Sequence, residues 1–352
     1  MKLFNLVFIF ITINAFSQNK SADNLLFPEE KNIKNIRQLT FGGDNAEAYF
    51  SFDNQRLIFQ SNWKKLSQQG CDQMFTLKLK GNNLDYQLVS TGKGRTTCGY
   101  FLKDGRMLFA STHAASDSCP PEPPRGKKYV WPVYNSYEIY ITDKKGKNPA
   151  LLIGGMGYDA EATVSPNGKY IIFTSTRSGD LELWRYEIKT KKLLQLTNTL
   201  GYDGGAFFAN DSKKIVWRAS RPNGTGVDEY KELLKNGLVE PSDLNIYTAD
   251  IEGKNVKQIT DIKGANWAPF MHPDGKRIVF SSNNHSVGKP GRPRFNLFVI
   301  NIDGSALKQV TYDPVFDAFP MFSFDGKKIV FSSNRNNGGG RDTNLFIADW
   351  ID

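Results

Sequence analysis

Six polar positions stand at a fixed distance from a turn. Asn45, Thr96, Asp159, Asp203, Asn266 and Asp317 each lie eight residues ahead of an Asp or Asn that opens a tight turn, at Asp53, Asp104, Asn167, Asp211, Asp274 and Asp325. Glu47 and Glu161 follow two residues behind their members of the set. Oxygen donors gathered from six places suit calcium or magnesium, and the same collar can hold a polar ligand. A second series qualifies this reading. Trp63, His113, Arg177, Arg221, Asn284 and Arg335 lie four residues past the strand that follows each turn, and the three arginines fall in the repeats whose collar residue is aspartate. Bidentate pairing of guanidinium with carboxylate then joins Asp159 to Arg177, Asp203 to Arg221 and Asp317 to Arg335. It uses up much of the acidity, so structural pairing is preferred to a metal collar, and no cofactor is expected beyond that divalent cation.

Other reactive side chains are few. His113, in an aromatic-rich segment, is the histidine best placed for a functional role, whereas His272 in "HPDG" reads as a surface turn residue and His285 has no acid to orient it. No catalytic triad is assigned. Trp131, Tyr134 and Tyr137 can stack on a sugar or a peptide, or pin their own loop. Cys71, Cys98 and Cys119 permit one disulfide and one thiol, with three pairings open. A Cys-only zinc site is disfavoured, since none of the three histidines stands at ligand spacing from them.

The elements that must position these residues are repeats. "AYFSFDNQRLIF", "GYFLKDGRMLF", "ATVSPNGKYIIF", "AFFANDSKKIVW", "PFMHPDGKRIVF" and "FPMFSFDGKKIVF" are six versions of strand, turn, strand, with turn residues 51, 63, 44, 63 and 51 apart. A third strand follows ("NLFVIN", "NIYTAD"), and a fourth ends in "LLQLT", "VKQIT" or "LKQVT". Four-stranded antiparallel units of this length, unable to bury both faces alone, pack radially as a β-propeller. The expected fold is all-β, with six four-stranded blades. The last unit stops at "NLFIADWID" without a fourth strand, whereas "NIRQLT" at 35–40 stands alone ahead of the first. That strand is expected to complete blade six and so close the ring.

The Asp/Asn-x-x-Pro phrase, the "fSpDGkkIvFsSnR" run and the closing "LxQLT", carried here by Asp317, Pro320 and Asp325-Gly326 through Arg335 and by Asn266, Pro269 and Asp274-Gly275, resemble the repeat of TolB-type propellers. Related repeats occur in the propellers of prolyl-oligopeptidase and tricorn-like proteases. The resemblance runs over roughly residues 35–350 and speaks to fold more than to function. It implies two departures, since about 17 residues between the expected cleavage point and the first strand leave no room for the N-terminal domain of TolB, and no Gly-x-Ser-x-Gly elbow of a hydrolase domain occurs.

Export is expected from "MKLFNLVFIFITINAFSQNK". Lys2, an apolar run over residues 3–13 and small residues to Ser17 read as a signal peptide, 1–17. An extension, 18–34, and the propeller, 35–352, follow, and no later stretch is expected to cross a membrane, which places the protein in the periplasm or outside the cell. The formal charge of +9 is spread along the chain, so nucleic acid is not expected as a partner. Nearly all extra length lies in the links between second and third strands, notably 113–137 and 221–243, where residues 227–235 read as a short helix ended by Gly237. Loops on a rigid scaffold carry binding. The expected function is therefore binding of a protein or envelope polysaccharide at this face and channel mouth; the alternative is an accessory propeller of a peptidase or hydrolase system, or a polysaccharide lyase working at the mouth.

Overall fold

The computed structural model describes residues 25–352 except 82, 125–127 and 156; the expected signal peptide lies outside the described residues. The first described strand is β1 (Ile33–Gln38), and blade one follows as β2 (Asn45–Phe50), β3 (Arg56–Ser61), β4 (Gln73–Lys78) and β5 (Tyr86–Leu88). Blade two has β6 (Thr96–Phe101) and β7 (Met107–Ser111), an insertion containing β8 (Trp131–Pro132), then β9 (Glu138–Ile141) and β10 (Ala150–Ile153). Blade three is β11 (Asp159–Val164), β12 (Tyr170–Ser175), β13 (Glu182–Glu187) and β14 (Leu193–Gln195). Blade four has β15 (Asp203–Phe208) and β16 (Lys214–Ala219), an insertion with α1 (Gly226–Lys235) and β17 (Leu238–Val239), then β18 (Asn245–Asp250) and β19 (Lys257–Gln258). Blade five is β20 (Asn266–Met271), β21 (Arg277–Ser282), β22 (Asn296–Asn301) and β23 (Lys308–Gln309). Blade six is β24 (Asp317–Phe322), β25 (Lys328–Ser333) and β26 (Asn344–Trp350), with β1 as its outer strand.

The six-bladed ring and its closure are as expected. Arg37 pairs with Ile347 and Gln38 with Phe346, and the Leu39 amide donates to the Leu345 carbonyl. The repeated phrases are hydrogen-bonding devices. In "QLT" and its variants the Thr hydroxyl accepts the amide of the third strand, Thr197 from Leu183, Thr260 from Ile246, Thr311 from Leu297 and Thr40 from Leu345. The Gln two residues earlier donates to that Thr's own carbonyl. In the first hairpin, Ser51, Ser165 and Ser323 donate to Asp53, Asn167 and Asp325 and accept the amides of Arg56, Tyr170 and Lys328. Repetition at these positions serves backbone satisfaction.

Each inner strand also carries a bulge. Register shifts after the second residue of β2, β6, β11, β15, β20 and β24, and the third residue takes a left-handed conformation: Glu47, Cys98, Glu161, Gly205, Ala268 and Phe319. A bulge re-aims a side chain and ends local pairing. Only blade four uses glycine here, because an added Cβ on Gly205 would sit 1.7 Å from Arg218 Nη1. Two residues further on, Tyr49, Tyr100, Phe207 and Phe270 meet near the axis; Tyr49 and Phe207, from opposite blades, have centroids 5.2 Å apart. These buried rings form an aromatic plug across the axis.

Candidate functional site

Links ahead of each inner strand and links after each second strand share one face. Isolated bridges join Asp44 to Thr343, Leu244 to Ala265 and Phe295 to Phe316, each linking the two kinds of segment across neighbouring blades. The insertions therefore crowd one mouth. The helix expected over 227–235 is α1, with Gly237 at φ +68° after its end. The sequence did not indicate that the two longest insertions join each other. β8 pairs with β17, Leu238 opposite Pro132 and Val239 opposite Trp131, and Lys128 binds Glu229 and Glu240 at 2.9 and 3.1 Å. A disulfide joins Cys71 of the blade-one link to Cys119 of the blade-two insertion. Cys98 is the remaining thiol.

The six collar residues lie inside the blades, not open to the mouth. All are 0% exposed. Asn45 accepts from Ser61 and donates to the carbonyls of Gly42 and Thr343. Asn266 does the same with Ser282 and Leu244, and Thr96 donates to the Asp72 carbonyl. Arg177 donates to Asp159 at 2.6 Å. Arg221 grips Asp203 with two bonds of 2.8 and 2.9 Å, and Trp217 adds a third. Burial nonetheless lifts the Asp203 carboxyl to about 6, against its bonds to Arg221. Arg335 binds Asp317 and also Glu30, a residue of the N-terminal extension. Glu30 has no counterpart in the repeat and could not be found by aligning copies. Among the described residues no group of three or more His, Cys, Asp or Glu side chains is arranged to hold a metal ion.

Deeper in the channel the bulges bring different chemistry together. Tyr202 donates to Glu161 Oε1 at 2.7 Å, Thr174 and the Gly205 amide bind its Oε2, and Arg218 pairs with it. Burial opposes the Arg218 charge, but Glu161 and Tyr202 hold its pKa above the usual value. Cys98 Sγ donates to Glu47 Oε2 at 2.9 Å. Burial raises the Glu47 carboxyl and raises the Cys98 thiol well above its ordinary range, which favours the protonated form of both. Trp131 covers the cluster, its ring 5.3 Å from the Arg218 guanidinium carbon and 5.1 Å from the Trp267 ring. Trp267 stacks on Phe295 at 4.1 Å.

The other expected residues serve packing. His113 Nδ1 lies 2.8 Å from Ser111 Oγ, its ring is 4.2 Å from that of Tyr140, and burial lowers its pKa. Tyr134 donates to the Pro121 carbonyl, and buried Tyr137 packs on Tyr158. His272 is not the surface residue expected: it is buried beside Phe322, with Nδ1 3.1 Å from Asp274, because β24 packs over the turn. His285 sits in a short 3-10 turn, Asn284–Ser286.

Beside its charged groups the mouth exposes apolar side chains. Phe41, Tyr129 and Val315 are 55, 62 and 56% exposed, and Leu200 and Val287 join them on the same face. The remaining exposed large apolar residues sit on or beside the outer strands.

Fold and face define a six-bladed propeller whose channel is plugged and whose insertions are clasped over one mouth. A family model described as the TolB beta propeller domain matches residues 238–341. The Tol-Pal system protein TolB of Francisella tularensis subsp. mediasiatica is 28% identical over 217 residues, 61% of this chain and 43% of that protein; the chain spans less than half the length of the curated relatives it matches. A solved structure assigned to TolB of Agrobacterium tumefaciens superposes with a TM-score of 0.58 at 16% identity, over 90% of this chain and 97% of that one. An oligogalacturonate lyase from Vibrio parahaemolyticus gives 0.50 at 11% identity, over 89 and 93%, a likeness of fold alone. The chain is a six-bladed β-propeller, and its residues 238–341 are similar to the TolB beta propeller domain.

Proposed function

We propose that this propeller is an exported binding module that acts by docking a protein partner on its insertion-bearing face, without catalysing a reaction. The observation that carries the reading is the exposure of Phe41, Tyr129 and Val315 on the face where the insertions meet. Large apolar side chains grouped on one face mark interaction surfaces, and aromatic ones recur as anchors of interfaces. The cluster below the clasp supports docking over chemistry. Its thiol is kept protonated by burial, its arginine is bound to Glu161 and Tyr202, and Trp131 covers it. The Cys71–Cys119 disulfide fits an oxidising compartment, and the relatives named as Tol-Pal system proteins are consistent with a protein partner. No helix among the described residues is long and apolar enough to cross a membrane.

The test uses envelope extract of the source cells, immobilised protein and mass spectrometry. A defined partner should be retained by the natural chain and lost from Phe41→Ser/Tyr129→Ser/Val315→Ser, whose exposed substitutions leave the thermal midpoint unchanged. Equal recovery by both proteins would remove the face from the function.

A further inference from the structure

Charge on the insertion-bearing face is segregated. The link between β16 and β18, residues 221–243, holds Asp228, Glu229, Glu232, Glu240 and Asp243 against Arg221, Lys231 and Lys235, and Arg221 is consumed by Asp203. The link between β21 and β22, residues 283–295, holds Lys289, Arg292 and Arg294 and no carboxylate. Lys289 and Arg292 are exposed and Arg294 is half-buried. None of the three makes an ion pair among the described residues, although acidic partners are found for Lys93, Arg95 and Lys128 elsewhere on this face.

Two further features make this link more than a solvated loop. Its base is anchored, since Ser286 Oγ donates to the Asn283 carbonyl and accepts the Arg294 amide, while Pro290 and Pro293 restrict the backbone between. The base of the link is thus fixed at Arg294, and burial, followed by the charges of Arg294 and Lys289, lowers the pKa of His285. The link also abuts the apolar face. Arg294 precedes Phe295, which stacks on Trp267 beneath Trp131, and Val287 is exposed beside the cations.

We propose that the blade-five link, through Lys289, Arg292 and Arg294, is a recognition arm for an acidic segment of a protein partner. The inference rests on the docking function proposed above and adds the partner's charge and orientation. A segment bearing Asp or Glu beside apolar residues satisfies both features of the surface, with carboxylates on the arm and apolar side chains against Val287 and Val315. Aliphatic side chains of that kind offer little to a hydroxyl-rich glycan, which favours protein as the occupant. The acidic link of blade four repels the same segment, so the partner docks in one orientation. Charges at the rim of an interface act chiefly by steering approach, and their effect falls with ionic strength.

The probe is a fluorescein-labelled (Glu-Glu-Leu)4 peptide, measured by anisotropy with the full chain at low and at physiological salt. Binding by the natural protein is expected to weaken at least about tenfold in Lys289→Ala/Arg292→Ala/Arg294→Ala. Lys231→Ala/Lys235→Ala, on α1, should leave it within about twofold. A (Lys-Lys-Leu)4 peptide should not bind the arm. Failure of the acidic peptide to bind, or equal affinity in the arm variant, overturns the proposal. Alginate bound through the arm when the peptide is not also overturns it, in favour of a glycan. An envelope partner still held by the arm variant but lost from the Phe41, Tyr129 and Val315 variant would sink the arm and leave the docking function standing.

Discussion

Replacing Glu30 by alanine tests the closure of the ring at a buried charge. Glu30 and Asp317 side chains are 0% exposed and Arg335 is 2% exposed. The guanidinium makes two bonds to Glu30, at 2.9 and 3.1 Å, two to Asp317, at 3.0 and 3.1 Å, and one to the Leu25 carbonyl. Glu30 also accepts the amides of Phe27 and Tyr312. Its removal takes two bonds from a guanidinium that stays paired with Asp317 and bonded to the Leu25 carbonyl, and it leaves the Phe27 and Tyr312 amides without their acceptor. Leaving buried donors without an acceptor costs about 1–3 kcal/mol each, so two amides amount to about 2–6 kcal/mol, and at roughly 2 °C per kcal/mol for a chain of this size the thermal midpoint should fall by about 4–12 °C. Urea unfolding followed by tryptophan fluorescence measures the loss directly. Asp117→Ala, which removes the exposed pair with Lys93 away from the closure, is the internal control and should cost no more than about 1 kcal/mol. If Glu30→Ala falls within that control's range, the extension contributes nothing to closure and the account of blade six is wrong.

Three further outcomes follow from the same geometry. Cys71→Ser/Cys119→Ser opens a loop of 48 residues, which chain entropy values at about 4 kcal/mol; an unchanged urea midpoint, with and without reductant, would contradict this. Glu182 is buried, and desolvation, with Asp203 and Asp180 nearby, raises its carboxyl to about 8. The folded state therefore holds a proton that the unfolded chain releases, and stability should fall as pH rises from about 4.5 to about 8; Glu182→Gln should flatten that slope, and a profile identical to the natural protein's would refute the assignment. Gly205→Ala places a methyl against Arg218 at a left-handed position, whereas Gly275→Ala meets open space. The former should cost several times the roughly 1 kcal/mol expected of the latter, read as the difference between their unfolding midpoints.

The blades were legible because their signals are local. Strand periodicity, the turn at each Asp-Gly and the Gln-x-Thr ending all recur in sequence, and each is satisfied within one sheet. Even the closure could be read, since a missing strand at one end matched a spare strand at the other. Asp159 and Arg177 are equally local, 18 residues apart and joined across one hairpin. The collar residues proved buried because their oxygens satisfy their own blades, something a count of oxygen donors does not reveal. His272 misled for a related reason: its turn looks solvated until the next blade is packed over it.

Composition and repetition alone determined how many blades there are, how each strand alternates and which links are long, since those depend on neighbours a few residues away. Folding decided which cysteines join, that β8 meets β17, that Glu30 reaches Arg335 across 305 residues, and that Glu47, Cys98, Glu161 and Arg218 share one channel. Those meetings depend on the curvature of the ring and on bulges that turn side chains toward its axis. No spacing along the chain encodes them.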